Sequence, residues 1–153
     1  MTPEIRAVAL VAIRHGNDVL LCQGHDRVKA RTFLRAPGGG IEFGEAAADA
    51  ARREIREEFN LDLDDLRPLG ILENLFIFEG ATGHEIVFVF EADWPAHLLV
   101  TESVEGCESD GVAITARWHA IPSLHYQPNA DCEVVPPGFL ALLGHGASVL
   151  GAP

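Results

Sequence analysis

Between Pro37 and Leu61 the chain reads PGGGIEFGEAAADAARREIREEFNL, which sets Glu45, Arg53, Glu54, Glu57 and Glu58 at fixed offsets behind three consecutive glycines. The stretch from about Glu45 to Phe59 is rich in Ala, Glu and Arg and is expected to be helical. On that helix the spacing of Glu54, Glu57 and Glu58 brings all three carboxylates to one face. Like charges so close raise one another's pKa and weaken the helix, a cost that selection for folding alone would remove. A bound cation cancels it. Magnesium suits the role, with manganese as its alternative, because a hard divalent ion takes oxygen ligands from a few carboxylates and bridges to substrate phosphates. Arg53 lies one turn before Glu57, in reach to hold that carboxylate in one rotamer.

The rest of the segment, Pro37 to Gly44, reads as a loop. Gly38, Gly39 and Gly40 tolerate positive φ and leave room for a ligand, so their carbonyls or amides can face a metal or a phosphate. The helix face opposite the carboxylates carries Ala47, Ala50, Ala51 and Ile55, which suits close packing on a sheet. An acidic helix alone is usually a solvated face, and Pro-Gly-Gly alone is a common turn. Their joint spacing separates this segment from both.

Gly39, Glu45, Arg53, Glu54, Ile55, Glu57, Glu58 and Leu61 match the pattern G-x5-E-x7-R-E-U-x-E-E-x-G-U, with U aliphatic. The segment therefore resembles the Nudix box. Its one departure is Asn60, where the family has Gly to end the helix in a left-handed conformation. Asn is the next most tolerant residue there, so a small stability cost and no lost chemistry are expected. The resemblance implies an α+β Nudix fold, a mixed sheet sandwiched between helices. It also implies a magnesium-dependent hydrolase of a nucleoside diphosphate linked to another moiety, such as a nucleoside triphosphate or a nucleotide sugar. By the same carry-over Glu54, Glu57 and Glu58 with the Gly38 carbonyl hold metal, Glu54 is also the general base, Arg53 orients Glu57, and Glu45 pairs structurally with Arg53.

A glutamate outside the box often completes such a site in the family, and Glu85, Glu91, Glu102 and Glu105 are the candidates here, each set against plain surface solvation. The rival reading is a Nudix-fold module that binds nucleotides without catalysis, which would usually have lost a box carboxylate. None is lost. Past the box, Leu75 to Phe78 lacks the proline associated with ADP-ribose hydrolases and the tyrosine associated with dinucleoside polyphosphate hydrolases. The tryptophan-and-proline array of NADH hydrolases is absent too. These absences lower those subclasses without naming another.

The composition fits one enzyme domain over residues 1–153, since 48% apolar content in 153 residues is enough for one core. A net charge of -12 with only 11 Lys and Arg argues against a standing nucleic-acid partner and for a small-molecule nucleotide whose charge is met by metal. Arg27, Lys29, Arg31 and Arg35 form the basic concentration, and Arg35, just before the box, is placed to contact a substrate phosphate. Trp94, Trp118, Phe76, Phe78 and Tyr126 are aromatic faces for a base or for the core. Cys22, Cys107 and Cys132 are an odd number without metal-ligand spacing, which favours reduced thiols in a cytoplasmic protein. Neither a secretion leader nor a membrane span is expected. Whether the chain forms a homodimer stays open.

Strands are expected over Ile5 to Ile13 and Val19 to Gln23, joined by a hairpin through His15-Gly16-Asn17-Asp18, then over Phe33 to Arg35. After the helix, two strands over Leu69 to Phe78 and Glu85 to Ala92 flank a turn at Gly80 to Gly83. The acidic stretch from Trp94 to Gly111 reads as a loop. A strand over Ala113 to Ala120 and a last helix over Gly138 to Leu143 follow.

Overall fold

The computed structural model describes residues 2–126 and 132–144. In chain order its elements are β1 (Ile5–His15), β2 (Asp18–Asp26), β3 (Arg31–Arg35), β4 (Gly38–Gly40), α1 (Ala47–Phe59), β5 (Arg67–Phe78), β6 (Ala81–Asp93), β7 (Ser103–Cys107), β8 (Ala113–Ala120), α2 (Ile121–Tyr126), β9 (Cys132–Val135) and α3 (Phe139–Leu143).

The apolar run Val8 to Ile13 is buried on both faces, which makes β1 the centre of the molecule. β6 pairs with it in parallel from Ile5↔His84 to Arg14↔Asp93. On the other edge β1 meets β4 antiparallel, Val8↔Gly40 to Leu10↔Gly38, and beyond that the start of β2. β2 carries β8 along Asp18 to Cys22 and β3 along Cys22 to Asp26, with β9 parallel to β3. β5 is the antiparallel neighbour of β6.

Alternation along β1 sorts the core into two layers. Ala9, Val11 and Ile13 pack with Ala50, Ala51, Ile55 and Phe59 of α1. Val8, Leu10 and Ala12 face the other way and pack with Val87, Val89, Phe139 and Leu143. Helices thus cover a mixed sheet on both sides, the α+β arrangement that the box implied.

Several elements differ from the sequence reading. Gly38 to Gly40 lie in a strand against β1, because the glycines fit where a side chain would strike the neighbouring backbone: a Cβ on Gly38 would come 2.0 Å from the Ala9 carbonyl oxygen. The β5–β6 turn is Glu79-Gly80, with φ of 52° and 81°, so β6 begins at Ala81 and Gly83 lies within it. Gly83 instead makes room for the Phe76 ring, 2.2 Å from where a Cβ would stand. The stretch read as an acidic loop contains β7, paired with β8 from Ser103↔Arg117 to Cys107↔Ala113. α2 and β9 carried no sequence signal. α1 starts at Ala47, leaving Glu45 in the preceding loop.

At the other end of α1, Asn60 has φ 53° and ψ 38°, and its N–H donates to the Arg56 carbonyl. This is the left-handed helix end expected of it. Asn60→Gly is expected to be neutral or to stabilise by up to about 1 kcal/mol, whereas Asn60→Val destabilises, since a β-branched side chain clashes in that conformation. Urea melts of the three proteins check this, and equal stability would contradict it.

Candidate active site

The loop leaving β3 is tied to β1 at both ends of β4, where Val11 N–H donates to the Pro37 carbonyl and Ile41 N–H to that of Ala7, each at 2.9 Å. This lays the glycine strand beneath the polar side of α1. The close approach is specific: a Cβ on Gly39 would fall 2.4 to 2.7 Å from the Glu54 carboxyl atoms. On the neighbouring Gly40, a Cβ would come 3.2 Å from the Arg6 guanidinium.

Arg53 is the hub. Its guanidinium grips Glu45 by two hydrogen bonds, Nε to Oε2 at 2.8 Å and NH2 to Oε1 at 2.9 Å, and donates to the Gly40 carbonyl at 2.9 Å. It also donates to Glu54 at 3.0 Å and, more distantly, to Glu57 at 3.3 Å. Such a fork-to-carboxylate pair holds the loop to the helix. The hydrogen bond from Arg53, and then the Glu42 N–H, pull the Glu45 carboxyl down to about 2. Arg53 is in turn held more firmly protonated, chiefly by Glu45.

Glu58 behaves in the opposite way. Burial, then the charges of Glu54 and Glu108, push its carboxyl up to about 8, while Arg35 draws it down. Among the described residues no three His, Cys, Asp or Glu side chains converge on one point, and Arg53 is paired with both Glu54 and Glu57. The donor set nevertheless fits a hard cation, since every donor is oxygen. A cleft of about 450 Å³ opens beside Glu54, walled by Arg6, Gly40, Ile41 and Glu42.

Of the glutamates outside the box, Glu91 pairs with Arg14 at 2.9 Å and Arg67 at 3.2 Å, far along β6. Glu105 accepts hydrogen bonds from Thr115 at 2.8 Å and Ser103 at 3.4 Å, and Glu102 is exposed. Glu85 is buried, accepts from Asn74 Nδ2 at 3.3 Å, and lies 3.6 Å from Arg35. Glu108, whose charge bears on Glu58, is the one that sequence reading missed. β7 brings it there by running so close to α1 that a Cβ on Gly106 would stand 2.5 Å from the Glu58 carbonyl oxygen. Gly106 was the available signal, since glycine within a strand marks close backbone approach.

The basic loop is largely committed elsewhere. Arg27 binds Glu79 through its N–H at 2.6 Å and its Nε at 3.1 Å, and Lys29 donates to the Ile77 carbonyl. Arg31 is exposed on β3, and Arg35 remains as the cation of this loop beside the carboxylates. Trp94 and Trp118 meet edge to face at 5.6 Å and donate to the Leu98 and Thr101 carbonyls, pinning the connection between β6 and β7. Phe78 packs on Phe33 at 5.9 Å, and Tyr126 ends α2. Cys22, Cys107 and Cys132 are free thiols, with Cys22 pushed up to about 12 by burial and by Glu58.

The family model of the NUDIX domain matches residues 3–136. The chain belongs to the Nudix hydrolase family. The NAD-capped RNA hydrolase NudC of Yersinia pestis (strain Pestoides F) is 30% identical over 141 residues, 91% of this chain and 45% of that protein, so the chain spans a little under half the length of such relatives. A MutT NUDIX hydrolase from Burkholderia pseudomallei superposes with a TM-score of 0.60 at 23% identity, covering 92% of this chain and 97% of that one. An ADP compounds hydrolase superposes at 0.54 and 19% identity, over 82% of this chain and 64% of that one. These likenesses establish the Nudix fold. Among the described residues no helix is long and apolar enough to cross a membrane.

Proposed function

We propose that this chain is a magnesium-dependent pyrophosphohydrolase that cleaves the P-O-P bridge of a nucleoside diphosphate joined to another moiety, a nucleoside triphosphate or nucleotide sugar being examples. The observation that carries the reading is the seating of the box, with Gly39 directly under the Glu54 carboxyl and Arg53 holding Glu45, Glu54, Glu57 and the Gly40 carbonyl together, while burial, Glu54 and Glu108 raise the neighbouring Glu58 to about 8. Glu54, Glu57, Glu58 and the Gly38 carbonyl are the groups that would hold Mg2+, or Mn2+ in its place. Held by these groups, such an ion would supply charge neutralisation at phosphate oxygens and a more acidic water.

The chain's own residues supply the rest. Glu54 takes the proton of the attacking water as general base. Arg53 steers Glu54 and Glu57 while Glu45 locks it against the loop, a structural task for Glu45. Arg35 and the backbone of Gly39 and Gly40 bind the substrate's phosphates. The substrate is a small nucleotide, and three free thiols are in keeping with a cytoplasmic setting.

The test is a panel of nucleoside triphosphates, nucleotide sugars, ADP-ribose, NAD and dinucleoside polyphosphates beside a nucleoside monophosphate, with and without magnesium, products separated chromatographically. Magnesium-dependent release of a nucleoside monophosphate is expected, with no attack on the monoester. Turnover of the monoester alone, or of nothing, would contradict the reading. Gly39→Ala adds a geometric check: the methyl forces Glu54 aside, so activity falls by about tenfold to a hundredfold with the melting curve little changed. Full activity in that variant would show that the position of Glu54 is immaterial.

A further inference from the structure

Two carboxylates are buried among the described residues, Asp26 and Glu85, and they are treated very differently. Asp26 is fully employed: it accepts from the N–H groups of Val28 and Lys29 at 2.9 Å and of Glu79 at 3.1 Å, fixing its loop. Glu85 has two contacts, both on Oε2: Asn74 Nδ2 at 3.3 Å and the Arg35 guanidinium at 3.6 Å. Burial of so lightly paired a carboxylate is costly to folding, which points to a use for the charge beyond folding. Its surroundings suggest what. Asn74 faces Glu85 across the β5–β6 ladder, and Arg35 ends β3 just before the glycine strand. Arg35 is only partly covered, with 36% of its side chain exposed, and its charge reaches Glu58 as well.

We propose that Glu85, braced by Asn74, is a positioning residue that holds the Arg35 guanidinium off the box carboxylates and presents it to a phosphoryl group of the substrate diphosphate. This rests on the reading of the preceding subsection. The Arg35 guanidinium lies 3.6 Å from Glu85 and close enough to Glu58 for its charge to act there, so two carboxylates compete for it. Glu85, buried and held by Asn74, is the fixed one of the two, and it keeps the guanidinium from pairing fully with Glu58. The contact is loose enough to leave most of the guanidinium donors free for phosphate oxygens.

The experiment uses whichever diphosphate the wild type cleaves, and compares wild type, Glu85→Gln, Arg35→Met and the double variant, with melting curves for each. Glu85→Gln keeps shape and removes charge, and it is expected to raise KM about tenfold with the change carried by KM rather than kcat. Arg35→Met raises KM as much or more, and adding Glu85→Gln to it changes nothing further, because Glu85 acts through Arg35. Glu85→Asp, which restores the charge, recovers part of the lost affinity. If Glu85→Gln melts below the assay temperature, Asn74→Ala carries the same coupling test. An unchanged KM, a loss confined to kcat, or additive effects in the double variant overturns the proposal. Wild-type turnover with any of those outcomes sinks this inference alone, whereas a wild type that cleaves no diphosphate removes the underlying reading and this inference with it.

Discussion

Replacing Glu57 or Glu58 by Gln is expected to slow diphosphate cleavage by about a hundredfold or more while the fold persists, the loss typical of removing a group that stabilises transition-state charge. The substitution keeps length and hydrogen-bonding capacity and removes only the charge, so it separates chemistry from packing. Glu57 has 55% of its side chain exposed and a single long contact to Arg53, which leaves little structural cost in neutralising it. Glu58 is closer to neutral already: with its carboxyl at about 8, the folded chain without a cation favours the protonated form that Gln imitates. Turnover at saturating magnesium, with melting curves as the control on folding, makes the measurement. Near-normal turnover in Glu58→Gln would remove it from the metal set.

The second large effect is on stability, and its sign follows from the same carboxyl. Glu58 has an ordinary value of 4.5 and is raised to about 8 in the folded chain, so folding binds its proton more tightly. Its contribution to stability is full below about pH 4.5 and is lost as pH rises through about 8. Without metal the melting temperature therefore declines across that window, and Glu58→Gln, neutral at every pH, lacks that part of the slope. Glu45 does not interfere: Arg53 lowers it to about 2, so its contribution is present above 4.5 and is lost only as pH falls through about 2. Burial, then Arg117, lower His119, whose contribution is lost as pH falls below 6.5, but it is common to both proteins and cancels in their difference. Magnesium reverses the decline. By binding the charged cluster in the folded state alone, it raises the melting temperature most near pH 8, and the gain shrinks toward pH 5 as protons compete. A melting temperature indifferent to magnesium at about pH 8 would contradict a preformed site.

How much of this was legible depended on whether a contact is local. The alignment of Glu54, Glu57 and Glu58 follows from helical spacing, and the ending at Asn60 from one residue's tolerance of positive φ, so both were readable. The partner of Arg53 was given by the resemblance, as Glu45, and not by the spacing. Spacing pointed to Glu57, one turn on, but the shorter bonds run to Glu45 and the Gly40 carbonyl, which reach Arg53 only because the glycine strand folds back under α1. Glu108 was hard to read because β7 is a short, half-buried strand with Gly106 as its one local signal, and because its place beside Glu58 is set by the β7–β8 hairpin packing on the helix. α2 and β9 are short elements fixed by tertiary pairing, β9 by its parallel ladder with β3, and local propensity has little to say about such pieces.

The central claim is that water attacks phosphorus in a P-O-P bridge at a metal site built from the box. The most direct measurement is to run the reaction in water enriched in heavy oxygen and to weigh the products by mass spectrometry, for the wild type and Glu57→Gln, with and without magnesium. One heavy oxygen on a phosphoryl product, formed with magnesium and not without it, and all but absent in the variant, is the predicted result. A correctly folded wild type that releases no labelled product from any diphosphate on the panel would contradict the account.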